Sequence, residues 1–226
     1  MERRMVKDIV IVGTGGHARD MVWLIEDNNQ ALERVPEPEA TKWNILGFID
    51  NNPSSDKVDG YPVIGNDDWL VNCDKELAVV IAVGDGKLRK ILYETYQQNE
   101  KLYFPTLISH TVHMSPRCRI GQGCMICSSV EMTVNIDVGN FVLINIGCTV
   151  EHDDCLEDYV TLNPGVNVSG NVHIGELSNI GTGSKIIQGI NIGREVIAGA
   201  GTVIIRDTED SCTIVGNPAR VVKRRV

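Results

Sequence analysis

Three observations predict a two-part fold, a small α/β nucleotide-type domain followed by an all-β parallel helix built from a hexapeptide repeat. An aliphatic residue returns every sixth position through the second half of the chain. A strand, a glycine turn and a helix-like stretch open the first half. Aromatics are 5% of the 226 residues while glycines number 22, which suits short strands and tight turns.

The repeat decides the second half. Steps of six from Met114 reach Ile120, Ile126, Met132, Val138, Ile144, Val150, Leu156, Leu162, Val168, Ile174, Ile180, Ile186, Ile192, Ala198 and Ile204, sixteen aliphatic positions without a slip. At a 42% hydrophobic background, chance would produce that run about once in a million. Two positions earlier sits a small or β-branched residue, as at Cys124, Val130, Val142, Cys148, Val160, Val166, Ser178, Ser184 and Thr202. Gly follows the aliphatic residue at Gly121, Gly139, Gly175, Gly181, Gly193 and Gly199, where it is expected to serve turns with positive φ. A period of six fits neither an α-helix nor an alternating sheet. It fits a triangular coil in which three hexapeptides make one rung and rungs stack at strand spacing.

In the first half, Ile9-Val10-Ile11-Val12 reads as a buried strand. Gly13-Thr14-Gly15-Gly16-His17-Ala18 is the turn, and Arg19 to Glu26 is helix-like. Such glycines let a phosphate approach backbone N–H groups at a helix N-terminus. The acidic residue expected about 20 residues on is missing, and the nearest strand-end acid is Asp50 in Gly47-Phe48-Ile49-Asp50-Asn51. Ala31 to Asn44, with Pro36 and Pro38, reads as a loop. Leu77 to Val83 reads as a strand that ends in Gly84-Asp85-Gly86 and leads into a helix from Lys87 to Gln97. Three βα-type units are too few for a full NAD domain. The boundary falls between a Rossmann-like domain, 1-105, and a β-helix domain with a C-terminal tail, 106-226.

A net charge of −9 argues against nucleic acid or an anionic membrane as the main partner. No apolar run approaches a membrane span, and no signal-peptide pattern is present. The seven cysteines make no metal-binding spacing, Cys124 and Cys127 forming a lone C-x-x-C. Free thiols without an export signal point to the reducing cytoplasm.

Gly13-Thr14-Gly15-Gly16-His17-Ala18, Gly47-Phe48-Ile49-Asp50, Gly60-Tyr61-Pro62-Val63-Ile64-Gly65 and Gly84-Asp85 precede a prism that ends in Val215-Gly216-Asn217-Pro218-Ala219-Arg220. In this order they resemble the NeuD/PglD-type sugar acetyltransferases, over nearly the whole chain. The resemblance implies a left-handed β-helix, acetyl-CoA as co-substrate, no metal, and a homotrimer with active sites between subunits. It implies N-acetylation of a nucleotide-linked 4-amino-4,6-dideoxy sugar, UDP-linked first, in glycan biosynthesis. Gly15, Gly16 and His17 would line the phosphate or sugar, Asp50 and Asn51 the base or ribose, and Gly84 and Asp85 the same pocket.

Forming an amide from a thioester requires a base for the amine, and His is the natural one near neutral pH. His152 in Val150-Glu151-His152-Asp153-Asp154-Cys155 follows a ladder position, at a turn that can project outward. It matches the family's general base followed by an acid, so Asp153 is expected to orient it, with Glu151 a competitor. Two positions depart from the family. Asp154 places a carboxylate in an inward slot that relatives fill with Cys, Asn or another small residue, which requires pairing or local opening of the rung. Thr161 stands where several relatives carry a second His that contacts the acetyl group or CoA. Thr161 or Asn163 would supply a hydrogen bond there, and the small positions Gly181, Gly183, Gly199 and Ala200 match the rungs along which relatives lay the pantetheine arm. His110, His113 and His173 read as ordinary surface or strand residues, and the basic run Arg220 to Arg225 as either a CoA-phosphate attractor or a solvated tail.

Two alternatives share the prism. One is an O-acetyltransferase acting on a sialic-acid-like sugar, and the other is a non-catalytic scaffold. A zinc-dependent carbonic anhydrase of the same shape would need three metal-binding histidines, and His152 and His173 have no such partner.

Overall fold

The computed structural model describes residues 6–34 and 41–225. The chain divides into two compact units, Met1–Gly84 with Leu88–Pro105, and Asp85–Lys87 with Thr106–Val226.

The first unit is a six-stranded sheet with helices. Strands β1 (Val6–Val12), β2 (Lys42–Ile49), β3 (Lys57–Val58), β4 (Tyr61–Gly65), β5 (Leu77–Ile81) and β6 (Leu102–Tyr103) lie in the order β3-β4-β2-β1-β5-β6. All neighbours are parallel except the edge pair β3–β4. β5 is buried throughout and β1 from Ile9 to Val12, as apolar runs inside a parallel sheet are. Helices α1 (Gly16–Arg34), α2 (Asp67–Val71) and α3 (Gly86–Tyr96) complete the unit.

Two expectations for this half need correction. Helix α1 starts at Gly16 and runs to Arg34, well beyond the Arg19 to Glu26 core that buries Met21, Val22, Leu24 and Ile25. The stretch expected as a loop is helix through Arg34 and strand from Lys42, while Pro36 and Pro38 lie outside the described residues. A polar pairing explains both. The Asn29 amide donates to Trp43 O at 2.7 Å, and Trp43 N–H donates back to Asn29 Oδ1 at 3.0 Å. The solvated end of α1 is thereby tied to the start of β2, which pairs with β1 from Lys42 onward.

The second unit is the predicted left-handed parallel β-helix. Its two-residue strands fall on three faces, and each pairs with the strand eighteen residues on, as in Met125↔Leu143, Glu131↔Thr149 and Asp137↔Cys155. Three hexapeptides therefore make one coil. Both periodic positions point inward, so Cys124, Ile126, Val130, Met132 and their successors form one continuous core. Met114 departs from the ladder's pattern and is 37% exposed, since the first coil has no coil below it to cover that residue. At the far end, the offset between coils shortens to sixteen residues, with Ile197 opposite Thr213. The strand Cys212–Val215 then turns back into Arg220–Arg224, the only antiparallel pairing among the described residues of the prism.

The glycines after the ladder residue do not serve positive-φ turns. A Cβ built on Gly175 would stand 2.7 Å from Arg194 N, and one on Gly139 2.4 Å from Asp158 Oδ1. These glycines let successive coils approach. The left-handed residue comes two positions later, at every hexapeptide from Gly123 to Gly201, and is Asn135, Phe141, Asp153, Tyr159 or Leu177 as readily as Gly. Bulky residues endure that conformation through packing: the Phe141 and Tyr159 rings stack at 5.5 Å across neighbouring coils.

The two glycine classes should respond differently. Gly175→Ala forces backbone apart and is expected to cost about 1–3 kcal/mol. Gly165→Ala, at φ 70° with open space around it, is expected to cost only the left-handed penalty of about 1 kcal/mol. Urea denaturation midpoints of the two variants check the order.

Candidate functional site

Each unit carries one constellation. In the first, a cavity of about 470 Å³ opens at the C-terminal ends of β1, β2 and β5. Neighbouring strands here connect in opposite directions, the place where open α/β sheets leave a crevice. Gly15, Gly16, His17, Asp50, Asn51 and Gly84 all line it. Asp85 does not; it is exposed at the start of α3.

The local sequence shapes this crevice. Gly13 takes φ 97°, and its N–H donates to Ile49 O at 2.8 Å, bending the chain off β1. Gly15, Gly16 and Gly84 have nothing within 4 Å of where a Cβ would stand, so the space over the N-terminus of α1 is open to a ligand. His17 closes one side. Its side chain is 12% exposed, and neither ring nitrogen has a hydrogen-bond partner among the described residues. Burial lowers its pKa to about 4, so the ring is neutral at pH 7. Nδ1 lies 3.7 Å from Asp20 Oδ2, and two buried ring nitrogens without a hydrogen bond, beside an open glycine turn, suit a ligand that can supply one.

Asp50 accepts from the Thr14 hydroxyl at 2.6 Å and from Asn52 N–H at 2.9 Å. Asn51 is engaged with Asp67: its amide donates to Asp67 Oδ2 at 2.6 Å, and Asp67 N–H donates to its Oδ1 at 3.0 Å. Sequence reasoning passed over Thr14 and Asp67, whose roles depend on distant partners. It also passed over Arg89, fully buried beneath the crevice, which donates to Val83 O and Gly84 O at 2.9 Å each. Arg89 brings a positive charge under the turn that Gly84 opens.

In the prism, His152 and Asp153 occupy a corner between the faces of Thr149–Val150 and Cys155–Leu156. His152 Nδ1 lies 3.0 Å from Asp153 Oδ2, and both side chains are about half exposed. The carboxylate can only accept, so in the neutral ring Nδ1 carries the proton and Nε2 keeps its lone pair. The hydrogen bond to Asp153 raises the His152 pKa above 6.5, and the same bond, with one from Asn135 at 3.2 Å, lowers that of Asp153. Among the described residues, the carboxylate hydrogen-bonded to the His152 ring is that of Asp153 and not that of Glu151. Asp153 is itself the left-handed corner residue, at φ 63°.

One coil on, Gly170 sits against the imidazole. A Cβ there would stand 2.4 Å from His152 Nε2. This glycine was not singled out from the sequence, although it lies eighteen residues after His152, where the repeat stacks corner on corner. Asn163, Gly181, Gly183, Gly199 and Ala200 gather on a different corner, where successive coils stack those positions. The Asn163 amide is held by Asn179 Oδ1 at 2.7 Å and Ile180 O at 2.8 Å. Gly181 and Gly199 leave no room for a Cβ, while Gly183, at φ 70°, faces open space. Thr161 is buried, 1% exposed. His173 and His113 pair with Glu157 and Glu131 at 3.1 and 2.9 Å. The basic run from Arg220 is an exposed strand rather than a loose tail. All seven cysteines are free thiols, and no helix of the described residues is long and apolar enough to cross a membrane.

Gly170→Ala is expected to displace the His152 ring without unfolding the prism, because the clash is with a movable side chain. Imidazole resonances of His152 in ¹H–¹⁵N NMR should shift while the thermal midpoint holds; unchanged resonances would show that the ring does not rely on this space.

The PglD N-terminal domain family matches residues 8–96. No curated protein matches the chain. Among solved structures, the acetyltransferase domain of PglB from Neisseria gonorrhoeae FA1090 is 32% identical with a TM-score of 0.83, over 96% of this chain and 100% of that one. The same domain has been solved with acetyl coenzyme A. PerB from Caulobacter crescentus, solved with CoA and GDP-perosamine, is 30% identical with a TM-score of 0.83, over 96% of this chain and 97% of that one. WeeI from Acinetobacter baumannii AYE is 29% identical with a TM-score of 0.83, over 96% and 100%. With a relative of this identity matched end to end, and with an open crevice and an oriented histidine in place, the chain belongs to the NeuD/PglD-type family of hexapeptide-repeat sugar acetyltransferases.

Proposed function

We propose that this enzyme transfers the acetyl group of acetyl-CoA to the amine of a nucleotide-linked 4-amino-4,6-dideoxy sugar, UDP-linked first, with His152 as general base. The observation that carries this reading is the exposed imidazole with Nδ1 bound to Asp153, which leaves Nε2 free to accept a proton. Nucleotide-linked amino sugars are the substrate class because PerB, similar along its whole length, is solved with GDP-perosamine.

The amine nitrogen attacks the thioester carbonyl carbon. His152 Nε2 takes the amine proton as the N–C bond forms, and Asp153 stabilises the imidazolium that results. The tetrahedral oxyanion collapses, the C–S bond breaks, and the imidazolium returns its proton to the departing CoA thiolate. Amide and free CoA leave a neutral histidine.

Gly15, Gly16 and Gly84 would admit the pyrophosphate to backbone N–H groups, His17 would hydrogen-bond the phosphate or sugar, and Asp50 and Asn51 would meet the nucleoside. Thr161, Asn163, Gly181, Gly183, Gly199 and Ala200 would border the acetyl-CoA arm. That ridge and His152 stand on different corners of one prism, which favours a homotrimer in which neighbouring copies complete each site. The free cysteines suit the reducing cytoplasm.

CoA release and product mass, measured with acetyl-CoA and UDP-, dTDP- and GDP-linked 4-amino-4,6-dideoxy sugars, test the proposal. The product should gain one acetyl group, and His152→Ala should lower turnover on the order of 10²-fold or more. No acetylation of any amino sugar, with transfer to a sialic-acid-like hydroxyl instead, would replace it.

The pH profile gives a second test. His152 acts only when neutral, so kcat/KM should rise through a pKa above 6.5. Asp153→Asn removes the charge that favours imidazolium, so the rising limb should move to lower pH while the plateau falls. A limb that stays in place would mean that another group titrates.

A further inference from the structure

Along the prism, the N–H after each ladder residue donates to a ladder carbonyl one coil on. Thr133 bonds Val150 O, Asn145 bonds Leu162 O, Glu157 bonds Ile174 O and Ser169 bonds Ile186 O, at 2.9–3.1 Å. Among the described residues from Gly121 to Ile187 this series breaks once. Glu151 N–H, which would meet Val168 O, donates to Asp154 Oδ2 at 3.0 Å. The break falls one residue before His152.

Asp154 occupies an inward slot and is 1% exposed. Its other oxygen accepts Val172 N–H from the next coil at 2.8 Å. The same slot elsewhere shows what ordinary occupants do. Val160, Val166 and Val172 offer no acceptor. Ser178 accepts the next-coil N–H of Val196 at 2.9 Å and gives its hydroxyl proton to Gly193 O at 2.8 Å. A carboxylate has two oxygens, so Asp154 accepts from the next coil with one and from its own corner with the other. It is a costly occupant: burial pushes its pKa up to about 7, against the pull of its two N–H donors.

We infer that Asp154 is a positioning residue, which draws Glu151 N–H out of the inter-coil ladder and so sets the direction in which the corner presents the His152 imidazole and Asp153. The inference rests on His152 being the base. The rest of the corner is held from both sides: Asp153 N–H donates to Val134 O at 3.1 Å below, and Asn171 N–H to His152 O at 2.8 Å above. Asp154 supplies the bond within the corner itself. It does not touch the reacting atoms, and Glu151 and Asp153 are the other carboxylates of this turn.

The test replaces Asp154 with the slot's ordinary occupants, Asp154→Ser and Asp154→Val, so that either can serve if the other fails to fold. Imidazole ¹H–¹⁵N NMR of the full chain reads the His152 ring without any substrate. In the wild type the neutral ring should hold its proton on Nδ1. In the variants the two tautomers should mix and the resonances should move. Turnover should fall about tenfold or more while both KM values hold, since the base is misaimed and not the binding surface. A folded variant with the wild-type imidazole spectrum overturns the inference. A moved imidazole with undiminished turnover upholds Asp154 as the device that aims the ring and removes His152 as the base.

Discussion

Backbone hydrogen bonds between segments eighteen residues apart govern the β-helix half of this enzyme. Each strand is only two residues long, so no strand is stable alone. Stacking of similar coils supplies each interior strand with two neighbours and each interior aliphatic residue with a partner above and below. Such a ladder tolerates little variation where coils touch, which is why glycine recurs next to the ladder residue. It tolerates much at the corners, whose side chains project outward. Chemistry can therefore be written on one corner while the coil beneath it stays the same.

The corner bearing His152 uses that freedom in an unusual way. One carboxylate, exposed, holds the imidazole by Nδ1; a second, buried, holds the backbone from which it projects. The two have opposite electrostatics, since hydrogen bonds lower the pKa of Asp153 while burial raises that of Asp154. The first division of the chain works by a different principle. There a parallel sheet gathers a glycine turn, a buried neutral histidine and a buried guanidinium at its strand ends.

Much of this was legible in the sequence because periodicity is a local property. The ladder from Met114 to Ile204 could be read by counting, and the Gly13–Ala18 turn by its spacing. His152 and Asp153 were visible as a resemblance to a family. What escaped depends on contacts across the fold. The left-handed corner position was hidden because Asn, Asp, Phe, Tyr and Leu share it with glycine. The glycines that are conspicuous in the sequence serve close coil packing instead. Helix α1 outran its apolar pattern because Asn29 meets Trp43. Gly170 reveals its role only when coils are stacked, and Arg89 only when α3 is folded over its turn. Asp154 is noticeable as an exception to the inward pattern, yet only the folded coil reveals that it takes up Glu151 N–H.

The end of the prism carries a further consequence. A stack of parallel coils presents an open rim of N–H and C=O groups, and a rim of that kind invites another prism to dock on it. Here the last coil is two residues short, and the chain then folds back as an antiparallel strand carrying Arg220, Lys223 and Arg224. A strand running against the grain offers a further parallel coil a different hydrogen-bond spacing from the one the prism repeats. On this face the closing strand therefore changes the hydrogen-bond pattern that the parallel coils repeat below it.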